Sequence, residues 1–145
     1  MKKLENILDK EGYKKIKFKV SKTNHLLIKA KVNGVKGNFI KDTGASNSCV
    51  GFNEIIFFGL VAVNSKIQAS GAGATRMATQ IARKNKLQFG SWKVKNIDLV
   101  IFDLSHVNAA LVSHKAKAVH GIIGADILLQ AKAIIDYSNQ FIYLK

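Results

Sequence analysis

Apolar and polar residues alternate along much of the chain, and the period of two is clearest over residues 15–20. This pattern is typical of a β-strand with one buried face and one solvated face. Further strands are predicted over residues 25–32 and 35–41. The Asn33-Gly34 pair between them favours a two-residue hairpin turn, because a type I′ turn needs positive φ at both positions. The first third of the chain is therefore predicted to be mainly antiparallel sheet.

The second half of the chain continues this pattern and contains few helical segments. Strands are predicted over residues 79–89 and 92–102, and a terminal hairpin is predicted over 134–144. Residues 125–131 have a helix-forming composition. Residues 105–120 are polar and small, which is typical of a loop with some helix.

Two segments leave alternatives open. Residues 1–12 have weak helical periodicity and predict either a short helix or an N-terminal arm. Residues 54–63 are almost continuously apolar and fit either a buried strand or a short helix. We predict an all-β fold, in which residues 13–145 form a single, mostly antiparallel domain with one or two short helices.

Composition places the chain among globular proteins, because 48% of its residues are hydrophobic and 22% are charged. Cys49 is the only cysteine, which excludes an internal disulfide and favours a reducing compartment. No stretch approaches the roughly 20 apolar residues that a membrane helix needs. We therefore predict a cytoplasmic protein without a membrane partner.

The formal net charge of +14 favours anionic partners such as nucleic acid or acidic peptides. Many of the lysines, however, alternate with apolar residues, as they do over residues 15–20. This spacing is better explained by the solvated face of a strand than by a nucleic-acid footprint. A basic nucleic-acid-binding β domain remains an alternative, but not the favoured one.

A short acidic motif follows the third predicted strand and consists of Asp42, Thr43, Gly44, Ala45 and Ser46. Downstream lies a run of tiny residues, predicted to be a loop or hairpin tip, that includes Gly71, Ala72, Gly73 and Ala74. An apolar-apolar-glycine turn with Ile123 at its centre follows later. This order resembles the retropepsin-like aspartic proteases, and the resemblance runs from about residue 27 to residue 145.

The resemblance implies a closed β domain with the activity of an aspartic endopeptidase, without a metal or other cofactor. Asp42 would be the catalytic carboxylate, Gly44 would offer its backbone N–H to it, and Thr43 would link two facing loops. The run of tiny residues would be a flap over an extended peptide substrate. The substrate-binding residues implied in this way are Ala45, Ser46, Gly71, Ala72, Gly73, Ala74 and Ile123.

Hydrolysis of a peptide without a metal needs a base to activate water and an acid to protonate the carbonyl oxygen. Two facing carboxylates supply both, because they share one proton when they lie about 3 Å apart. The chain carries only one such motif, and Asp126 is expected instead to favour a helix N-terminus. The second carboxylate is therefore expected from a second subunit, which predicts a homodimer.

Two positions depart from the family pattern. Lys41 stands where the family usually has an apolar residue, and alternation predicts that it faces away from Asp42 with its amine in solvent. If its charge reached the dyad, the chain would instead be a catalytically impaired, dimeric peptide-binding module. Ser46 and Ala125 replace an acid–base pair that supports retroviral dimers, so dimer contacts are expected elsewhere, for example at the terminal strand 141–144.

Three histidines are clustered in the segment over residues 105–120, namely His106, His114 and His120. Their spacing matches no compact metal-ligand pattern, and we expect exposed loop histidines instead. Cys49 lies in a predicted core strand, where a buried and inert thiol is expected.

Overall fold

The computed structural model describes residues 2–64, 69–71, 74–77 and 79–145. Its helices are α1 (Lys2–Lys10), α2 (Ser105–Ser113) and α3 (Ala125–Gln130). Its strands are β1 (Lys14–Lys17), β2 (Lys19–Val20), β3 (Leu26–Val32), β4 (Val35–Lys41), β5 (Cys49–Gly51), β6 (Ala62–Asn64), β7 (Ala69–Gly71), β8 (Ala74–Met77), β9 (Gln80–Phe89), β10 (Trp92–Phe102), β11 (Gly121–Ile123), β12 (Ile134–Asp136) and β13 (Phe141–Leu144).

The largest sheet closes on itself as a barrel. Among the described residues its strand order is β2-β3-β4-β11-β5-β10-β9-β6, and β3 also pairs with β9. The β3–β4 hairpin turns at Asn33 and Gly34, which have φ values of 51° and 85°. Positive φ at both positions is what a type I′ turn requires. The predicted all-β, mostly antiparallel and closed fold is therefore confirmed.

Strand β11 lies between two strands that come much earlier in the chain. It runs parallel to β4 and antiparallel to β5. Glycine is needed at its first position, because a Cβ on Gly121 would lie 2.3 Å from the carbonyl oxygen of Cys49. This close packing brings Ile123 beside the end of β4, in register with Lys41.

The barrel interior is filled by large apolar side chains, among them Phe18, Phe39 and Ile101. A second layer lies under α2, where Phe102 and Leu104 pack with Cys49. The Cys49 thiol is buried, and its desolvation raises its pKa to about 12. The thiol is thus the inert core group that the sequence predicts.

The apolar segment 54–63 is neither a buried strand nor a regular helix. A short 3₁₀ turn, Phe52–Glu54, is followed by turns and then by β6. Phe58 is buried, whereas Ile56 is 93% exposed. An apolar run therefore does not mean that every residue in it is buried. Here consecutive residues of the turns point in different directions, so some of their side chains face solvent.

A separate three-stranded sheet places β13 between β1 and β12. Both backbone edges of the terminal strand are therefore occupied within the chain. A dimer contact at residues 141–144 would have to use side chains rather than added strand pairing.

Candidate active site

Asp42 is positioned by the strand before it and by a neighbour far along the chain. Its backbone N–H donates to the carbonyl oxygen of Ile123 over 2.9 Å. That carbonyl belongs to β11, which lies parallel to β4. The Ile123 side chain itself is buried in the barrel core, at 2% exposure. Ile123 thus positions Asp42 through its backbone, while its side chain is part of the barrel core.

The Asp42 carboxylate is held by a tight turn. The backbone N–H of Gly44 donates to Oδ1 of Asp42 over 2.8 Å, as the sequence predicts. The N–H of Ala45 donates to the Asp42 carbonyl oxygen over 3.2 Å. Asp42, Thr43 and Gly44 are exposed in the single chain. The carboxylate is therefore oriented by the turn and remains accessible to a second molecule.

The downstream glycine turn packs directly on this loop. The backbone N–H of Ala125 donates to the carbonyl oxygen of Ala45 over 2.6 Å. A Cβ on Gly124 would lie 2.6 Å from the same oxygen, so a larger residue would push the two segments apart. The structure thus brings together Asp42, Ala45 and Ile123, three of the residues that the sequence singles out.

A hydrogen-bonded pair that the sequence interpretation missed supports this junction. The Ser48 backbone N–H contacts both carboxylate oxygens of Asp126 at 3.0 Å, and its hydroxyl donates to Oδ1 over 2.7 Å. The same hydroxyl accepts the N–H of Gly124 over 2.8 Å. Asp126 is in the first turn of α3, but its main contacts tie that helix to the loop after Asp42. Nothing in the sequence around Ser48 predicts its hydrogen bond with Asp126, because the two residues are 78 positions apart.

The expectation that the Lys41 amine reaches solvent is wrong. Lys41 is 3% exposed, and its Nζ lies 4.2 Å from the centre of the Phe18 ring. Among the described residues this Nζ has no hydrogen-bond partner. Desolvation lowers the pKa of Lys41 to about 8. The side chain lies on the same face of β4 as Phe39, as strand alternation predicts, so its amine lies inside the barrel.

The predicted flap is described in part. Strands β7 and β8 form an antiparallel hairpin in which Gly71 pairs with Ala74. Ala72 and Gly73, at the centre of the predicted tip, lie outside the described residues. The hairpin follows the segment after β6 and precedes β9, which is the chain position that the resemblance assigns to a flap.

Two other aspartates, Asp103 and Asp136, have hydrogen-bond partners close to them in the sequence. Oδ1 of Asp103 accepts the backbone N–H of Ser105, and this hydrogen bond lowers the pKa of the carboxyl. Asp136 is held by Asn139 in the same way, with a lowered pKa. Together with Asp126, these carboxylates are engaged in structure rather than presented as a partner for Asp42.

The histidines are placed differently from one another. His106 and His114 are exposed, as predicted. His120 is half-buried: its Nδ1 accepts the backbone N–H of Asn38 over 2.9 Å, and its ring stacks on Phe57. Within the part of the chain that the structure describes, no group of histidine, cysteine and acidic residues could hold a metal ion. No helix in that part is long and apolar enough to cross a membrane.

Comparisons with solved structures show the same fold. The chain is similar to a retropepsin-like aspartic protease from Rickettsia conorii, with a TM-score of 0.62 and 20% identity over 91% of this chain and 89% of that one. It is also similar to the EIAV protease in complex with an inhibitor, with a TM-score of 0.52 and 17% identity over 76% of this chain and 90% of that one. The retroviral protease-like domain of Ddi1 from Leishmania major has a TM-score of 0.52 and 17% identity, over 83% of this chain and 94% of that one.

The comparison with curated proteins gave no match. Residues 28–127 match the family model of aspartyl proteases. This range includes both the Asp42 loop and the glycine turn that packs on it. On this match, which spans more than half of the sequence, the chain belongs to the aspartyl protease family, and its fold is retropepsin-like.

Proposed function

We propose that the protein is an aspartic endopeptidase whose active site forms from two Asp42 carboxylates across a homodimer. The observation that carries this proposal is the geometry of Asp42, which is fixed by the N–H of Gly44 and by the carbonyl of Ile123 while its carboxylate stays exposed. A rigid, exposed carboxylate on a single chain is what half of a symmetric dyad requires.

The chemistry follows from placing two such loops face to face. One ionised carboxylate takes a proton from water as the water oxygen adds to the substrate carbonyl carbon, while the protonated partner donates to the carbonyl oxygen. The C–N bond of this tetrahedral adduct then breaks as a carboxyl group of the pair gives a proton to the leaving nitrogen, which releases an acid and an amine. The pair shares one proton because two charges so close cannot both ionise, and its apparent pKa values belong to the pair. Thr43 is exposed beside Asp42, where its hydroxyl can contact the partner loop. Ala45, Ser46 and the flap residues 71–74 would hold an extended peptide through backbone hydrogen bonds.

The position of Lys41 bears on the alternative of an impaired peptide-binding module. Its amine is enclosed in the barrel over Phe18, so it does not supply the charge at the dyad on which that alternative depends. The same placement supports the active enzyme, because nothing from Lys41 opposes a shared proton between the carboxylates.

The proposal is tested by incubating the wild type and an Asp42→Asn variant with a peptide library between about pH 4 and 7. We expect cleavage by the wild type only, because asparagine cannot act as the base. Sedimentation at several protein concentrations measures the monomer–dimer equilibrium, and specific activity should rise with the dimer fraction. Cleavage that persists in Asp42→Asn, or that is independent of dimer formation, would refute the proposed site.

A further inference from the structure

A deep cleft on the outer face of the β3–β4 hairpin is lined by lysines. It has a volume of about 710 Å³, which is the size of a small-ligand pocket. The lysines that line it are Lys17, Lys19, Lys22, Lys29, Lys115 and Lys117. A neighbouring cavity of about 410 Å³ adds Lys31 and Lys36, and the two cavities share Lys29, Asn38 and Gly90. Eight of the chain's 23 lysine and arginine residues therefore border these two adjoining cavities.

The positive charge of this cleft is not neutralised within the chain. The lining residues of both cavities include no aspartate and no glutamate. Among the described residues the one side-chain ion pair is between Lys15 and Glu5, away from the cleft. Lys31 on β3 and Lys36 on β4 lie directly opposite each other in the antiparallel pair. Like charges at such positions destabilise a sheet, and an anion bound beside them would relieve this repulsion.

The walls of the cleft are fixed, while its floor is partly apolar. Strand β2 pairs with β3 on one side, and the segment after α2 forms the other wall. That segment is tied to β4, because the N–H of His120 donates to the carbonyl oxygen of Asn38 over 2.8 Å. Leu27 and Ala116 are half-buried on the floor, and Val20 is 41% exposed at the edge.

These features together fit an acidic polypeptide better than a nucleic acid. Single strands bind through exposed aromatic rings on which successive bases stack. Of the rings in the lining, Phe18 is 1% exposed and His120 is half-buried against Phe57, which leaves His114 as the one exposed ring. The cleft also has no arginine, the residue best suited to bidentate phosphate contacts. Lysines around an apolar floor instead match a peptide in which acidic and apolar residues are mixed.

We propose that the lysine cleft, defined by the residues of these two cavities, is a second binding site that captures an acidic polypeptide segment outside the Asp42 site. Binding there requires no proteolysis, so the proposal goes beyond the proposed enzyme activity. If the protein is also a protease, the cleft would favour substrates that carry an acidic segment apart from the cleaved bond.

The test uses the Asp42→Asn protein, so that peptides stay intact whether or not the proposed activity exists. Fluorescence anisotropy measures binding of a labelled peptide of about ten residues in which glutamate alternates with alanine. A peptide with glutamine in place of glutamate is the uncharged control. An oligothymidylate of equal charge and phosphatidylserine vesicles test whether nucleic acid or a lipid surface binds instead. We expect binding of the acidic peptide that weakens as salt rises from about 50 to 200 mM, and none of the glutamine peptide.

Matched charge variants locate the site. The pair Lys29→Gln and Lys117→Gln lies in the cleft, whereas Lys93→Gln and Lys95→Gln remove the same charge from exposed positions on β10. We expect about tenfold weaker binding for the cleft pair and less than about twofold for the β10 pair. A second cleft pair, Lys17→Gln with Lys115→Gln, repeats the measurement if the first is poorly folded. Equal effects of the cleft and β10 pairs, tighter binding of oligothymidylate or vesicles, or no binding at about 50 mM salt would each overturn the proposal.

Discussion

Replacement of the buried Lys41 by methionine is expected to stabilise the protein. Methionine keeps most of the apolar stem of lysine but removes an amine that lacks a hydrogen-bond partner among the described residues. The pKa of Lys41 falls from 10.5 to about 8, which corresponds to about 3 kcal/mol of penalty for the charged form, or roughly 2 after solvent screening. The contact with the Phe18 ring, worth about 0.5–1 kcal/mol, is lost in exchange. A net gain of about 1–1.5 kcal/mol remains at pH 7.

The pH dependence gives this prediction a sharper form. Because the folded pKa of Lys41 is lower than the unfolded one, the folded state binds fewer protons between about pH 8 and 10.5. The penalty is therefore fully present below pH 8 and disappears as the pH rises toward 10.5. The advantage of Lys41→Met in the free energy of unfolding should shrink over this window.

Urea denaturation of both proteins at equal concentration, at several pH values between 7 and about 10.5, measures this difference. Lys93→Met, which replaces an exposed lysine, serves as the control and should show a small difference that is constant up to about pH 9. The reasoning would be refuted if Lys41→Met were less stable than the wild type at pH 7. A stability gap that does not change with pH would refute the titration argument in particular.

Two further substitutions test the junction around Asp42. Ser48→Ala should cost about 1–3 kcal/mol in urea denaturation, since it leaves the Gly124 N–H without its acceptor and removes the hydroxyl that donates to Oδ1 of Asp126. Thr at this position should retain more stability, and no loss in the alanine variant would show the hydroxyl to be unimportant. Gly121→Ala should cost several kcal/mol, because its Cβ would collide with the Cys49 carbonyl. Gly12→Ala is the control, because nothing lies within 4 Å of that position although its φ is +89°. Thermal denaturation should show a smaller loss of stability for Gly12→Ala than for Gly121→Ala, and the reverse order would contradict the packing argument.

Features that depend on a few neighbouring residues could be predicted from the sequence. The turn at Asn33-Gly34 and the hydrogen bond from Gly44 to Asp42 both follow from local backbone requirements. The face of β4 on which Lys41 lies was also predictable, because successive side chains of a strand point to opposite faces. The burial of its amine was not predictable, since it depends on packing with Phe18, which lies between β1 and β2.

Features that join distant parts of the chain could not be predicted. The Ser48–Asp126 pair has no local signature, because a serine and an aspartate far apart in sequence are compatible with many folds. The lysine cleft was also missed. The alternation of lysines with apolar residues predicts a solvated face, but the concave shape arises only when the segment after α2 covers one side of it.

The position of β11 between β4 and β5 has a consequence for the timing of synthesis. The backbone that holds Asp42 comes from Ile123, and the loop behind it rests on Gly124 and Ala125. Synthesis must therefore continue at least through Ala125 before the carboxylate acquires its final geometry. A nascent or truncated product that ends before β11 would carry the acidic motif without the scaffold that orients it. Such a product would lack the Ile123 carbonyl that accepts the Asp42 N–H, so we expect its carboxylate to be poorly oriented.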